Sequence, residues 1–526
     1  MPADHPTDHT PPHGRSEFPI EGETPRRRSG VARDAAPEFR FSRMGPKGPT
    51  KLPAALRRKV AKAMLGPAGL SGSIPAGYTY LGQFVDHDLT FDKTVVAFGE
   101  QVSPADLLQG RSPTLDLDSL YGAGPLDPVS AEFYSDDRHL KMGKTVRVGP
   151  DAARVGFDLP RTGTKESGPK RRRALIPDHR NDENLAVAQH HLAMIRFHNR
   201  VVDTLDPATP AAERFERARR LVVLHYQWML RTDYLRRVCE RSVVDDVFAN
   251  GRKVFEVGAD PFSMPTMPVE FSVAAFRLGH SMIRRSYDWN KRFPGIAGSL
   301  GFLFEFSGTS GFLAEGDRAL PSNWIADFRR LYAFKSIGRP DLNPPPGAAN
   351  KARGIDTTLA DALEFLPPGS FGGGDDDFGT MQANLAFRNL TRSGMVRLAS
   401  GQQMVAHVRS KGVPVTALTA NQIVEGDGGA VLSELSAPER QRFVTETPLW
   451  FYILREAELN NGKLTGVGAR IVVETFHRAM EGSTFSIVRN ADWRPRLGEV
   501  SNRFTMADLL LFAFDGDVTK LAPLGD

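Results

Sequence analysis

Long segments in which apolar residues recur at helical spacing constrain the fold of this chain most strongly. In ENLAVAQHHLAMIRFHNRVVDTL one side of the predicted helix carries Leu185, Ala188, His191, Leu192, Ile195 and Val202. Similar segments are ATPAAERFERARRLVVLHYQWMLRTDYL, VEFSVAAFRLGHSMIRRSY, ERQRFVTETPLWFYILREAELN and GARIVVETFHRAMEG. Strand alternation is scarce. The pattern therefore predicts a mainly α fold with few short strands.

The organisation along the chain predicts a leader followed by a long folded region. Residues 1–50 are rich in Pro, His, Asp and Arg and lack periodicity, which predicts a disordered N-terminal leader. The length allows two to four domains or one large helical domain, and the family resemblance described below favours a single domain over residues 51–526. Within it, residues 93–180 have frequent Gly and Pro and predict long loops with small elements.

Composition excludes several classes of function. Lys plus Arg number 67 against 62 Asp plus Glu, a surplus too small to indicate nucleic-acid binding. The single cysteine, Cys239, cannot form an intrachain disulfide or a cysteine-based metal site. The sequence shows no transmembrane segment and no apolar run typical of a signal peptide. We therefore expect a cytoplasmic protein or one exported without a classical signal peptide.

The first candidate site is GQFVDHD, on a helix predicted from Leu81, Phe84, Val85 and Leu89. A lone histidine on an apolar helix is more often a satisfied core residue than a catalyst. His87, however, has Gln83 one turn earlier and the carboxylates of Asp86 and Asp88 on either side. Burying two carboxylates is costly unless a cation or a covalent bond compensates them.

The second candidate site is SPTLDLDSLYG, where every second residue offers oxygen: Ser112, Thr114, Asp116 and Asp118. This spacing suits a hard cation such as calcium. Asp and Ser are also common in turns, so a polar loop is the stronger local interpretation.

Five motifs in a fixed order connect these sites: GQFVDHDLTF, SPTLDLDSLYG, DHRNDENLAVAQHHLAMIRFHNR, AFRLGH and RNLTRS. Together they resemble the animal-type haem peroxidases of the peroxidase-cyclooxygenase superfamily and their bacterial relatives, over roughly residues 70–515. The resemblance implies a large helical fold that binds haem b. It also implies reduction of hydrogen peroxide through an oxoferryl intermediate, with oxidation of small organic donors, halides or thiocyanate.

The resemblance implies a role for each residue on the peroxide side of the haem. His87 matches the histidine that takes a proton from peroxide and returns it to the departing oxygen. Gln83 matches a glutamine that shapes the pocket, and Arg180 an arginine that stabilises the negative charge developing as the O–O bond breaks.

On the other side, His280 matches the iron ligand, and Asn389 the asparagine that accepts the other ring N–H. Arg277 and Arg392 match arginines directed at the haem propionates.

Asp86 and Glu183 match carboxylates that the family esterifies to haem methyl groups. Asn184 stands where some members have a methionine bonded to a haem vinyl, so at most two covalent links are expected. Chloride oxidation is accordingly in doubt.

The resemblance also changes the interpretation of the second candidate site. Asp88 matches a calcium-binding aspartate, and Ser112, Thr114, Asp116 and Asp118 match the calcium loop, with Asp118 in place of a serine. Calcium would brace the helix that carries His87.

Two alternatives to a peroxidase follow from the same resemblance. Fatty-acid dioxygenases of the superfamily have a radical-forming tyrosine three residues before the iron-ligating histidine, where this chain has Arg277. The other alternative is a haem-bearing adhesion or interaction protein.

Overall fold

The structure is a computed structural model that describes residues 39–49, 52–66, 69–94, 96, 98–311, 313–366 and 381–526. Helix dominates it, which confirms the predicted fold class. The helices of eight or more residues are α1 Ala54–Ala63, α2 Gly77–Leu89, α3 Leu185–Asp203, α4 Ala211–Met229, α5 Arg241–Asn250, α6 Leu385–Met395, α7 Gly401–Ser410, α8 Ala437–Thr445, α9 Leu449–Glu458, α10 Gly466–Gly482 and α11 Met506–Ala513. Shorter helices are Asp118–Tyr121, Leu235–Val238, Val269–Ser272, Gly279–Met282, Leu300–Glu305, Ala314–Asp317, Ala420–Glu425 and Val518–Leu521.

The strands of the described residues are short and form two-stranded pairs. Their bounds are β1 Phe41–Ser42, β2 Ser71–Pro75, β3 Gly143–Lys144, β4 Val155–Asp158, β5 Met267–Pro268, β6 Ser286–Tyr287, β7 Gly298–Ser299 and β8 Lys351–Arg353. β1 pairs with β5 in parallel, while β2 with β8, β3 with β4 and β6 with β7 are antiparallel. These pairs fasten loops to the helical body.

Residues before position 51 already pack against the rest of the fold. β1 pairs with β5, and the backbone N–H groups of Met44 and Gly45 donate to the buried Glu270 carboxylate. Residues 39–49 are therefore anchored to the domain. The rest of the predicted leader, residues 1–38 and 50, lies outside the described residues.

Two segments predicted as single helices are interrupted. Val269–Ser272 and Gly279–Met282 are separated by a 3-10 turn, Ala275–Leu278, where the Arg277 Nε donates to the Ser272 carbonyl at 2.8 Å. The Ser272 carbonyl thus accepts a hydrogen bond from a side chain. α8 and α9 are separated at Pro448, which has no N–H and disfavours helical geometry in the residue before it.

The helix that carries His87 is enclosed by the core. α2 packs against α3, and α3 in turn packs against α4 and α11. Eleven of the thirteen residues of α2 are buried, Phe84 and Val85 completely. Such burial fixes the orientation of α2, because burial of apolar side chains favours this packing by about 25 cal/mol per Å² of apolar area.

Candidate active site

A cavity of about 950 Å³, its mouth included, lies between α2, the short helix Gly279–Met282 and α6. Predicted site residues that line it are Gln83, Asp86, His87, Glu183, Arg277, His280 and Arg392. Tyr234 packs closely on Gly82 in the wall, where a Cβ at residue 82 would lie 2.4 Å from the tyrosine hydroxyl. Seven of the nine residues predicted for catalysis and cofactor binding thus meet at one cavity.

His87 is held by an asparagine that the sequence did not single out. Its Nδ1 lies 2.9 Å from the Oδ1 of Asn181, and its Nε2 lies 3.4 Å from a Glu183 carboxylate oxygen at the cavity. An amide oxygen can only accept, so Nδ1 carries the proton. In the neutral ring Nε2 then has the free lone pair.

Gln83 links the two residues that follow the 3-10 turn His179–Asp182. Its Nε2 donates to the Glu183 carboxylate, and its Oε1 accepts from Asn184 Nδ2 at 3.1 Å. Asn184 also caps α3, because its Oδ1 accepts from the Val187 N–H at 2.9 Å. The beginning of α3 therefore positions the cavity-facing side of α2.

Arg180 is completely buried but lies behind His87 and is not among the lining residues. Its Nε and Nη2 donate to the two oxygens of Asp178 at 2.9 and 2.6 Å, and Nη2 also donates to the His87 carbonyl. Burial would raise the pKa of Asp178, but Arg180 and Arg111 hold it well below its usual range. The guanidinium remains close enough to lower the pKa of Asp86.

Asp86 is a buried carboxyl group in the cavity wall, where its charged form is disfavoured. Burial raises its pKa to about 6 against the opposing positive charges of His87 and Arg180. The Thr90 hydroxyl donates to it at 3.3 Å, and Arg277 Nη2 lies 3.9 Å from its Oδ2. A neutral or covalently bonded form of Asp86 would remove this cost.

Across the cavity wall, Asn389 on α6 contacts His280. Its Nδ2 lies 2.9 Å from the His280 Nδ1, and its Oδ1 is buried with no hydrogen-bond partner among the described residues. If the Asn389 side-chain amide is rotated so that Oδ1 and Nδ2 exchange places, Oδ1 accepts from the His280 Nδ1–H. The His280 Nε2 then carries the lone pair that binds a metal. The pair thus fits an iron ligand with a fixed tautomer.

Three arginines converge on one side of the cavity: Arg277, Arg392 and Arg388, the last of which was not predicted. Burial, reinforced by the charge of Arg392, lowers the pKa of both Arg277 and Arg388 well below the usual range. Burial also lowers the pKa of Arg392, to about 10. Buried cations in a cavity wall suit an anionic group, and haem carries two propionates. The residues present therefore fit haem.

The predicted calcium residues lie behind α2. The Ser119 N–H and hydroxyl donate to the Asp88 Oδ1 at 3.2 and 3.1 Å, and the buried Asp88 carboxylate also interacts with the Tyr226 hydroxyl. Burial, reinforced by the charge of Asp118, raises the pKa of Asp88 to about 8.

The rest of the loop is held by internal hydrogen bonds. The Thr114 hydroxyl donates to Asp116 at 2.9 Å, and Asp116 also accepts from the Thr484 N–H at 3.0 Å. Among the residues that the structure describes, no group of three or more His, Cys, Asp or Glu side chains is gathered as a metal site. Hydroxyls and backbone carbonyls would have to supply the remaining ligands of a calcium ion.

Two sequence signals could have identified Arg388 and the pairing of Asp178 with Arg180, which the sequence analysis did not single out. Arg388 lies one helical turn before Arg392, so both project from the same side of α6. Asp178 precedes Arg180 by two residues and has the opposite charge. No comparable signal marks Asn181, because nothing in the local pattern distinguishes it from other polar loop residues.

Residues 74–296 match the family model for animal haem peroxidase. This part of the chain, less than half of its length, is therefore similar to the animal haem peroxidases. The matched residues include His87, Arg180 and His280, whereas Asn389 and Arg392 lie beyond them. A peroxidase-like protein of Margaritifera margaritifera is 31% identical over 115 residues, or 21% of this chain and 14% of that protein. Thyroid peroxidase of Mus musculus is 25% identical over 187 residues, or 34% and 20%. These matches span no more than a fifth of either relative.

Solved structures show that most of the chain has a known fold. Peroxidase A from Dictyostelium discoideum superposes with a TM-score of 0.53 at 15% identity, covering 85% of this chain and 88% of that one. The fatty acid alpha-dioxygenase of Oryza sativa gives 0.52 at 11% identity, covering 91% and 81%. At these identities the likeness concerns the fold alone. Among the described helices, none is both long and apolar enough to cross a membrane.

Proposed function

We propose that this chain is a haem peroxidase that reduces hydrogen peroxide and oxidises small organic donors, halides or thiocyanate. One observation carries the proposal. His87 and His280 line the same cavity, and an asparagine amide lies 2.9 Å from the Nδ1 of each. Each imidazole can therefore present Nε2, one as a base and the other as a metal ligand.

Haem, when bound, supplies the redox-active iron, with His280 as its protein ligand. Arg277, Arg388 and Arg392 would bind its carboxylates. Asn389 sets the His280 tautomer. Asp86 and Glu183 line the cavity and would form the two ester links, whereas Asn184, in place of a methionine, would leave no third link.

His87 moves the proton. Its Nε2 lone pair takes a proton from peroxide and returns it to the departing oxygen, while Asn181 keeps Nδ1 protonated throughout. Gln83, fixed between Glu183 and Asn184, orients peroxide in the pocket. Arg180 acts from behind His87, where it binds the histidine carbonyl and contributes a fixed positive charge.

Calcium is a further proposal, with Asp88, Asp116 and Asp118 as its anionic ligands and Ser112 and Thr114 completing the loop. The charge of Asp118 beside the buried Asp88 carboxylate supports it. An ion there would hold the residue that follows His87 and so stabilise the distal helix.

The dioxygenase alternative shares the fold but has weaker support. Arg277 occupies the position of the radical-forming tyrosine and is engaged with the Ser272 carbonyl. Two other tyrosines, Tyr80 and Tyr234, line the cavity, so oxygen uptake with palmitate and no peroxide is a necessary control. The assembled cavity residues also favour an enzyme over a haem-bearing adhesion protein.

Stopped-flow spectroscopy of the haem-loaded protein tests the proposal. Mixing with hydrogen peroxide should change the haem spectrum at a rate proportional to peroxide, and adding a phenol, bromide or thiocyanate should restore the resting spectrum. No spectral change with peroxide, or oxygen uptake with palmitate alone, would overturn the peroxidase assignment.

A further inference from the structure

A second cavity, about 880 Å³ with its mouth included, has a strongly basic lining. We call it the basic cavity and define it by five cations: Arg236, Arg237, Arg241, Lys463 and Arg503. Asp233 is the one carboxylate among the described lining residues, and Trp228 adds an aromatic side chain. Such a lining attracts an anionic ligand with an aromatic ring.

Three of these cations are available to a ligand. Arg236 is paired with Asp245, and Arg237 with Asp233 at 2.6 Å. Arg241, Lys463 and Arg503 have no carboxylate within 4 Å in the described part of the chain, and Arg241 and Arg503 are exposed. An anion bound here would gain charge pairing without breaking an existing ion pair.

Tyr78 lies behind two lining residues of the basic cavity, Asp233 and Arg237. The Arg237 guanidinium lies 4.4 Å from the centroid of its ring, and its hydroxyl donates to the Asp233 Oδ2 at 2.5 Å. Tyr78 is 2% exposed, so a ligand would contact Asp233 and Arg237 rather than the ring itself. The carboxylate is positioned to accept the phenolic proton whenever Tyr78 loses an electron.

An aromatic chain connects Tyr78 to the haem cavity. The Tyr78 and Tyr332 rings are 5.1 Å apart, and the Tyr332 hydroxyl lies 2.7 Å from the His190 Nε2. The His190 ring is 6.2 Å from that of Tyr80, which lines the haem cavity. Each step is a contact between buried neighbouring rings.

His190 has the tautomer that the aromatic chain from Tyr78 to Tyr80 requires. Its Nδ1 donates to the Ala186 carbonyl at 2.7 Å, because a carbonyl cannot donate. Burial lowers the pKa of His190 to about 4, so the ring is neutral at pH 7 and Nε2 accepts from Tyr332. Tyr78 and Tyr332 thus each have a built-in proton acceptor, Asp233 and His190.

We propose that the basic cavity is a second donor site for anionic phenols, such as hydroxybenzoates, and that Tyr78, Tyr332, His190 and Tyr80 relay their electrons to the haem cavity. This inference rests on the proposed peroxidase function. Two donor molecules each lose one electron and the phenolic proton, and hydrogen peroxide takes up two electrons and two protons to give two waters. At Tyr78 the phenolic proton moves to Asp233 with the outgoing electron and returns when the donor reduces the residue.

Equilibrium binding tests the site without turnover. In calorimetry with 4-hydroxybenzenesulfonate and no peroxide, the double variant Arg241→Gln/Lys463→Gln should bind about tenfold more weakly, and wild-type affinity should fall with added salt. Lys335→Gln/Lys411→Gln removes the same charge from exposed positions elsewhere and should bind as the wild type does. Equal affinities in the two double variants, or no binding by the wild type, would overturn the donor site.

Freeze-quench electron paramagnetic resonance tests the relay. Peroxide should generate a tyrosyl radical in the wild type, which the anionic phenol quenches. Tyr78→Phe, which keeps the ring packed on Tyr332, should slow that quenching about tenfold and leave quenching by neutral phenol unchanged. Tyr134→Phe, another buried tyrosine, serves as the matched control.

Quenching at the wild-type rate in Tyr78→Phe, or no tyrosyl radical in a protein that reacts with peroxide, would overturn the relay alone. A haem spectrum unaffected by peroxide would overturn the peroxidase function and the relay with it. Calorimetry would still decide whether the basic cavity binds the anion.

Discussion

The Oδ1 of Asn181 lies 2.9 Å from the Nδ1 of His87, and both side chains are buried. Asn181 belongs to the same 3-10 turn as Arg180, whose guanidinium donates to the His87 carbonyl. One turn of the chain thus fixes both the ring and the backbone of the proposed acid-base residue. Asn181 is a positioning residue, since it acts through His87.

Replacing Asn181 should therefore slow the reaction with peroxide. Asn181→Leu removes the acceptor for Nδ1–H, and we expect the second-order rate constant in stopped flow to fall about ten- to hundredfold. Asn181→Asp retains an acceptor and should recover most of the rate. Haem content, measured in parallel, should be unchanged. An Asn181→Leu protein that reacts at the wild-type rate would show that His87 is oriented by other contacts.

Arg388→Met should have opposite effects on the two forms of the protein. Without haem, removing one of three buried, repelling guanidiniums should raise the melting temperature by a few degrees. With haem, losing a partner for its carboxylates should weaken haem affinity about tenfold. Arg58→Met, an exposed change on α1 with the same charge, is the control. A lower melting temperature of the haem-free variant would argue against repulsion as the dominant effect.

The helical fold and most of the cavity lining could be predicted because each depends on local patterns. His87 and Gln83 are one helical turn apart, so the sequence alone places them on the same side of α2. Contacts between distant segments have no such signal. The pairing of β1 with β5 and the contact between Asn181 and His87 depend on how loops fold back over the helices.

Of the two breaks in the predicted helices, one could be predicted from a local pattern and the other could not. Pro448 could have been used to separate α8 from α9, because proline disfavours helical geometry just before it. The interruption after Ser272 could not, since it depends on the Arg277 side chain taking a backbone carbonyl. Arg180 had a predicted role, but its burial behind His87 depends on the pairing with Asp178.

The covalent links to haem can be tested one carboxylate at a time. We expect acid acetone to leave haem on the peroxide-treated wild-type protein and to extract it fully from Asp86→Asn/Glu183→Gln. Each single variant should retain one link, which mass spectrometry of haem-bearing peptides would locate. Complete extraction of haem from the wild type would contradict ester formation at both positions.

Calcium should stabilise the protein most strongly at high pH. Without an ion, burial and the charge of Asp118 raise the pKa of Asp88 to about 8. A carboxyl group whose pKa is raised on folding stabilises the fold below its unfolded value of about 4, and that stability is lost as the pH rises to about 8. In EDTA the melting temperature should therefore fall over this range.

Calcium at 100 times its dissociation constant should restore about 2.7 kcal/mol, and at one fixed calcium concentration the restoration should be larger at pH 8 than at pH 5. Asp118→Asn supplies the decisive comparison. It removes the repulsion on Asp88 and so should raise the melting temperature in EDTA, but it should shrink the increase caused by calcium. Asp492→Asn, at an exposed turn position outside this loop, should do neither. If calcium raised the melting temperature of wild type and Asp118→Asn equally, the ion would bind somewhere other than beside Asp88.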